Sequence, residues 1–315
     1  SNEVRKNKLT AVTRLGEKMV FWRGADGKVV CMVDLCPHLG ARLSQGTLVD
    51  GHLACPFHGF EYDPSGACVY LPAYGRNGVI PKALKAGTYP AHESHGYIWI
   101  YWGKPEGELQ PPKFFEEIGE DFSYISLHQS WPVHYSRMAE NQLDVSHLAF
   151  VHHNTIGRGG RKVVDGPLVR LKDGLLELWV YNRVDDGRPP IPADELPEPT
   201  RHPFLQFRFP NLWHNWIGDD VRVTAAFVPV DEENGLFYGR FYQRFMRVPL
   251  LKQLVLWGGK IGSIVIANQD RRIVSNQWPK KTGLRIGEKI MQSDRAILMF
   301  RQERQRLIEA NNPKE

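Results

Sequence analysis

Cysteine is scarce in this sequence, with four in 315 residues, at positions 31, 36, 55 and 68. So few cannot form a disulfide scaffold in a chain this long. Two of them sit in a metal-ligand pattern, which points to thiols kept reduced. No uninterrupted apolar run approaches the ~20 residues of a bilayer-spanning helix. The first ten residues are polar and charged, with no signal-peptide core. A cytoplasmic chain with no membrane partner is the expectation. Charge of one sign is not in large excess either, since 40 Lys and Arg face 35 Asp and Glu. The densest basic cluster, RGGRK at 158–162, is short, glycine-rich and free of aromatics, so it reads as a solvated loop and not as a nucleic-acid surface. The run Gly258-Gly259-Lys260-Ile261-Gly262-Ser263 lacks phosphate-loop spacing, and no glycine-rich strand-to-helix turn of dinucleotide-binding type occurs. No recognisable motif for holding a nicotinamide or flavin cofactor is left.

What is present is ordinary in bulk: 42% hydrophobic and 24% charged residues suit a globular chain, and its length suits about two domains. The first hundred residues read as short strands parted by tight turns. Asp26-Gly27, Asp50-Gly51 and Asp63-Pro64-Ser65-Gly66 each adjoin apolar runs, and YIWIYW at 97–102 is a β-prone closing strand. The Pro-, Gly- and Glu-rich stretch 103–112 reads as a linker, which places an all-β domain at 1–108 and a second domain at 109–315. In the second, helical patterning covers 135–147, 250–277 and 293–310, with Ser293 as a candidate N-cap. The stretches 168–184 and 204–230 alternate like antiparallel strands. Between them, 185–203 carries six prolines and reads as a lid-like loop.

The strongest signal is Cys36-Pro37-His38-Leu39-Gly40 followed, after a gap of sixteen residues between His38 and Cys55, by Cys55-Pro56-Phe57-His58-Gly59. Each half offers one thiolate and one imidazole on a turn whose Pro and Gly suit tight loops with backbone N–H groups aimed at sulfur. Two Cys on one iron and two His on the other is the Rieske arrangement of a [2Fe–2S] cluster. Cys₂His₂ also suits tetrahedral zinc, but zinc fingers place paired cysteines apart from paired histidines. Cys31 and Cys68 read as buried structural thiols.

A second constellation follows at 140–153, ENQLDVSHLAFVHH. Asn141, Asp144 and His147 are spaced three apart, along one side of a helix. His152 stands five beyond His147, about 140° around a regular helix at ~100° per residue. Both imidazoles then meet one ion only if the helix ends or bulges near Phe150. His153 is the alternative to His152. Two histidines and a distant carboxylate make the facial triad of non-haem Fe(II) sites, with positions left open for O₂. Asp270 is the candidate carboxylate: it is an acid on a helical stretch whose Ile266, Ile273 and Val274 share its side, costly there unless paired or metal-bound. An ion pair with Arg271, Arg272 or another Arg is the other reading. Trp213, His214 and Trp216 are candidate pocket residues, against a plain core role.

The two Cys-Pro turns and the Asn-x-x-Asp-x-x-His-x-x-x-x-His segment resemble the oxygenase subunits of the Rieske non-haem iron ring-hydroxylating oxygenases, along nearly the whole chain. The respiratory Rieske proteins are less similar, because they carry a disulfide cysteine in each loop where this chain has Ala41 and Phe57. The resemblance implies an α+β architecture, in which an all-β Rieske domain precedes an antiparallel sheet wrapped by helices. It implies a [2Fe–2S] cluster on Cys36, His38, Cys55 and His58, and mononuclear Fe(II) on His147, His152 and Asp270. Asn141 would lie near the iron, and Asp144 would link an iron-ligand histidine to a Rieske histidine of a neighbouring subunit in a homotrimer. It further implies a separate NAD(P)H-dependent reductase or ferredoxin, whose docking a mild basic excess would help. The implied activity is mono- or dioxygenation or oxidative demethylation of an aromatic or polycyclic small molecule. A Rieske electron-transfer protein with a non-catalytic second domain, and a desaturase on the same scaffold, are the rival readings.

Overall fold

The computed structural model describes residues 2–103, 107, 109–110 and 112–311. Two compact units divide the chain, Ser1–Phe114 and Phe115–Glu315. Of the linker read at 103–112, residues 104–106, 108 and 111 lie outside the described ones.

The first unit is built from short strands: β1 (Thr10–Arg14), β2 (Glu17–Arg23), β3 (Val29–Val33), β4 (Thr47–Val49), β5 (His52–Ala54), β6 (Glu61–Tyr62), β7 (Cys68–Tyr70), β8 (Thr88–Tyr89), β9 (Ala91–Ser94) and β10 (Tyr97–Ile100). One four-stranded sheet has the order β1-β2-β3-β8, another β4-β5-β6-β7, and β9 pairs with β10. The closing strand stops at Ile100, and Tyr101 and Trp102 beyond it are exposed. Trp22, Met32, Leu43, Leu53 and Tyr62 are fully buried in one cluster that also takes in Cys36 and Cys55. The turns that carry the candidate cluster ligands are therefore seated on the unit's own core. Trp22 Nε1 donates to the Gly51 carbonyl at 3.0 Å and braces the turn between β4 and β5.

The second unit is a seven-stranded antiparallel sheet of β11 (Ser123–Trp131), β12 (Val163–Lys172), β13 (Leu175–Arg183), β14 (Leu205–Arg208), β15 (Leu212–Gly218), β16 (Val221–Pro229) and β17 (Gly235–Gln243). Strands β12 to β17 follow one another as a meander, and β11 adds to the free edge of β17. Helices α1 (Tyr135–Leu143), α2 (Leu148–Val151), α3 (Pro249–Val274) and α4 (Arg295–Asn311) complete it. α1 packs on β16 and β17, α3 on β11 and β17, and α4 on β12 and β13. Trp131, Met138, Leu143, Leu178, Phe207 and Phe300 are among the residues that fill its core. α3 reaches β17 closely because Gly259 meets the Phe241 ring, from which an added Cβ would stand only 2.3 Å.

The helix expected over 135–147 stops at Leu143. Asp144 takes an extended conformation at its C-cap, and the chain turns before α2. α1 is held to α4 by a buried ion network, in which Arg301 donates to both Glu140 oxygens at 2.7 and 2.8 Å and Arg137 and Arg301 share Glu288. Ser293 does not cap α4. It lies in the 3₁₀ turn Gln292–Asp294, where the Asp294 carboxylate accepts the Met291 N–H at 2.8 Å. The loop 185–203 is tied at its start, since Arg183 donates to the carbonyls of Arg188 and Pro189 and Asp165 accepts the Ile191 N–H. By length and composition α3 is apolar enough to cross a membrane, yet Lys252, Lys260 and Asp270 interrupt it and it packs on the sheet.

Candidate metal centres

The two cysteine–histidine turns share one backbone frame. Cys36 N donates to Ala41 O at 2.8 Å and Gly40 N to Cys36 O at 2.9 Å. In the same way Cys55 N donates to Phe60 O at 2.8 Å and Gly59 N to Cys55 O at 3.0 Å. Gly40 and Gly59 both close their turns at positive φ, 74° and 69°, a conformation in which a side chain is strained. The frame buries Cys36 and Cys55 and leaves His38 and His58 exposed, with ring centroids 4.8 Å apart. Burial foremost pushes the Cys55 thiol above its ordinary pKa, and the facing Cys36 thiol adds to this. The Phe57 and His58 backbone N–H groups donate toward its sulfur and oppose the shift. Tyr62 Oη lies 3.2 Å from Cys36 Sγ. Two buried thiols, two outer imidazoles and N–H donors aimed at sulfur are a donor set that fits a binuclear cluster. All four cysteines are free, and burial raises the Cys31 thiol to about 12, which leaves it inert.

The second centre is assembled from distant parts of the chain. His147 precedes α2, His152 caps its C-terminal end and Asp270 stands on α3. One ligand atom from each lies within 4.8 Å of the others. Asp270 Oδ1 is 3.5 Å from His147 Nε2 and 3.0 Å from His152 Nε2, yet this buried oxygen has no hydrogen-bond donor. A carboxylate oxygen and two imidazole nitrogens converging with no directed hydrogen bond among them is a donor set that fits a divalent metal. Burial alone would raise the Asp270 pKa, but His147 and His152 outweigh it and hold the carboxyl well below the usual range. Burial likewise opposes charge on His152, and the adjacent Asp270 carboxylate, with Gln269 on the other ring nitrogen, overcomes this and lifts its pKa.

On α3 the positions buried near the site are Ala267, Asp270 and Val274; of the residues grouped with Asp270 from the sequence, Val274 is buried, Ile266 half-buried and Ile273 exposed. Asp270 bonds to Gln142 and faces the two histidines. His153 is exposed, its Nδ1 lying 2.9 Å from the Phe150 carbonyl. Asp144 Oδ1 accepts the Ser146 N–H at 2.7 Å, and its Oδ2 stands 3.8 Å from His147 Nδ1, near enough for charge but not for a hydrogen bond. Asn141 is half-buried, and its Nδ2 has no hydrogen-bond partner.

Comparison with known proteins agrees in both halves. Residues 1–89 match the Rieske [2Fe-2S] domain family. Residues 131–310, more than half the chain, match the vanillate O-demethylase oxygenase C-terminal domain family. The chain belongs to the Rieske oxygenases. The oxygenase component of dicamba O-demethylase from Stenotrophomonas maltophilia is 35% identical over 188 residues, 57% of this chain and 52% of that protein. Aminopyrrolnitrin oxygenase PrnD from Pseudomonas fluorescens is 33% identical over 171 residues, 52% of this chain and 47% of that one. The chain thus spans about half the length of these relatives. Among solved structures, NdmA of Pseudomonas putida CBB5 superposes with a TM-score of 0.78 over 97% of this chain and 86% of its own, at 22% identity. Dicamba monooxygenase bound to dicamba superposes at 0.68 and 21% identity, over 98% and 95%. These two likenesses establish the fold.

This Rieske oxygenase holds features that motif spacing does not disclose. Trp213, His214 and Trp216 do not form one group. Trp213 joins the core with α1 and donates through Nε1 to the Gln142 carbonyl at 3.1 Å. His214 and Trp216 lie on the opposite face of β15, His214 against Phe115 and Trp216 against the Arg222 guanidinium. Strand alternation separates them. Sequence reading also passed over Gln142 and Gln269, which touch the candidate ligands directly. Their one signal was adjacency, since each stands beside a residue singled out for the site, Asn141 or Asp270.

Proposed function

We propose that this chain is the oxygenase component of a multicomponent system that hydroxylates or oxidatively demethylates an aromatic or polycyclic small molecule. The observation that carries the reading is the convergence of His147, His152 and Asp270 around a donor-free carboxylate oxygen. A pure electron carrier has no use for such a buried triad. We assign the cluster ligands to Cys36, His38, Cys55 and His58 in a domain at 1–108, and the iron ligands to His147, His152 and Asp270 in a catalytic domain at 109–315. Bound at these sites, the cluster supplies electrons and the ferrous ion activates O₂. Hydroxylation balances as R–H, O₂, two electrons and two protons giving R–OH and water. Demethylation of a methyl ether consumes the same O₂, electrons and protons and gives the alcohol or phenol, formaldehyde and water. Dicamba O-demethylase, among the relatives, supports the demethylating branch.

The chain's own residues act by binding and orientation. His147 and His152 present Nε2, and Asp270 supplies a buried negative charge. The electrons come from a separate NAD(P)H-dependent reductase or ferredoxin, in a cytoplasmic setting. His38 and His58 are exposed beside Leu39 and Phe57, which are 65% and 60% exposed, an apolar rim suited to docking. This supports a homotrimer in which a Rieske histidine of one subunit reaches Asp144 of the next, in a ring of heterologous contacts. The test is an iron count combined with reductase-driven O₂ uptake on aromatic acids and methyl ethers. About three irons per chain and a hydroxylated or demethylated product are expected. About two irons and no product would make the chain a carrier. Light scattering that shows a fully active monomer would remove the trimer.

A further inference from the structure

Asp270 has two carboxylate oxygens, and their surroundings differ. Oδ2 accepts the Gln142 Nε2–H at 3.0 Å, while Oδ1 faces the two Nε2 atoms without a donor. Gln142 belongs to the last turn of α1 and Asp270 to α3, so the bond spans two helices. The placement of Gln142 is itself held, because its backbone carbonyl takes the indole N–H of buried Trp213. Gln269 is fixed at both ends of its amide. Its Oε1 lies 2.7 Å from His152 Nδ1 and accepts from Thr155 Oγ1 at 3.0 Å, and its Nε2 donates to Asn154 Oδ1 at 2.9 Å. With both ends engaged, the carbonyl end faces the imidazole. His152 then carries a proton on Nδ1, which leaves Nε2 as the nitrogen it would offer to a metal.

We propose that Gln142 and Gln269 are positioning residues for the metal centre. Gln142 withholds one Asp270 oxygen so that the carboxylate is offered through Oδ1 alone, and Gln269 locks the tautomer of His152. The proposal rests on the reading of His147, His152 and Asp270 as ligands. Metal-bound histidines commonly have a carboxylate, carbonyl or water on their other nitrogen. Here the two differ: His152 has a neutral amide, and His147 has the Asp144 carboxylate at 3.8 Å. A carboxylate bound through one oxygen leaves one more position free than one bound through two, which suits a centre that must admit O₂ beside a substrate.

Cobalt(II) is the probe. Full-length protein with its cluster intact is stripped of mononuclear metal by a mild chelator and titrated with Co²⁺, reading affinity and d–d absorption. Gln142→Leu and Gln142→Met remove the donor while keeping bulk. Their d–d bands are expected to weaken relative to wild type, as a carboxylate free to bind through both oxygens raises the coordination number. Gln269→Leu is expected to lose about 10–100-fold in Co²⁺ affinity. Gln269→Glu, which keeps an acceptor on His152, should stay within about threefold of wild type, well inside that loss. An unchanged cluster spectrum and circular dichroism report that each variant has folded. Wild-type spectra and affinities in all the glutamine variants, with binding abolished in Asp270→Ala, overturn the positioning roles and leave the ligand reading standing. Failure of the wild-type protein to bind Co²⁺ at all overturns the ligand reading itself.

Discussion

The two candidate centres are built in opposite ways. Each cluster turn is closed by its own pair of backbone hydrogen bonds, so a few consecutive residues place its thiol and imidazole. The triad instead joins a short turn at 147–152 to a helix more than a hundred residues later, and its carboxylate residue is only 2% exposed. A local frame tolerates exposed ligands, and His38 and His58 are exposed accordingly. A centre assembled from distant elements needs a packed core around it, because only packing holds α1, α2 and α3 in register. The contrast also suits the two proposed tasks: electrons must enter and leave at a surface, whereas O₂ chemistry needs water kept out.

The largest effects should separate the two centres cleanly. Cys36→Ala is expected to abolish the red-brown cluster spectrum while the mononuclear iron stays. Asp270→Ala should do the reverse, with an intact cluster, no mononuclear iron and no coupled turnover. Iron analysis beside absorption spectra checks both, and a variant that loses both metals would show that the two centres are not independent. A smaller effect is expected from Asp144→Asn, which keeps both metals but slows cluster oxidation in a single turnover by about tenfold or more. Stopped-flow bleaching reads this rate, and a wild-type value would detach Asp144 from electron delivery.

The smallest effect probes the sheet of the second unit, on the face turned away from the triad. His214 is buried in the sheet, its Nδ1 2.8 Å from Gln206 Oε1, and burial first, then the Arg222 charge, push its pKa down to about 3. In the unfolded chain it titrates near ~6.5. Between these values the unfolded state binds a proton that the native state does not. Its contribution to stability is therefore present above pH ~6.5 and is lost as pH falls toward the folded value, by at most ~1.4 kcal/mol per pH unit. His214→Asn should flatten the fall in urea-unfolding stability between about pH 7.5 and 5.5, the range around that unfolded value. Equal slopes for variant and wild type would assign the acid sensitivity to other groups.

Much of this was legible in the residues because it is local. Cys36, His38, Cys55 and His58 stand on turns that proline and glycine define, and the strands of the second unit follow from alternation. The five-residue step from His147 to His152 required a helix end near Phe150, and α2 does stop at Val151 with His152 as its cap. Periodicity did not disclose the earlier break at Asp144, where the backbone turns extended and the carboxylate takes the Ser146 N–H. That break depends on a side chain competing for a backbone donor, which spacing does not register. Ile273 looked like a companion of Asp270 by spacing, and the way α3 lies on β11 and β17 turned it outward.

The chemistry on offer was set by the order of residues: two Cys-Pro turns, two histidines at the ends of one short turn, a carboxylate on a late apolar helix, and the alternation that builds a sheet. These follow from short-range sterics and periodicity, which a linear pattern encodes. Packing settled which oxygen of Asp270 faces the histidines, that Gln142 holds the other, and that Gln269 sets the face His152 presents. It also parted Trp213 from His214 and Trp216 across β15. Those outcomes depend on where α1, α3 and the sheet come to rest against one another. That is fixed by filling the whole core, a sum over long-range contacts that no local window of sequence contains.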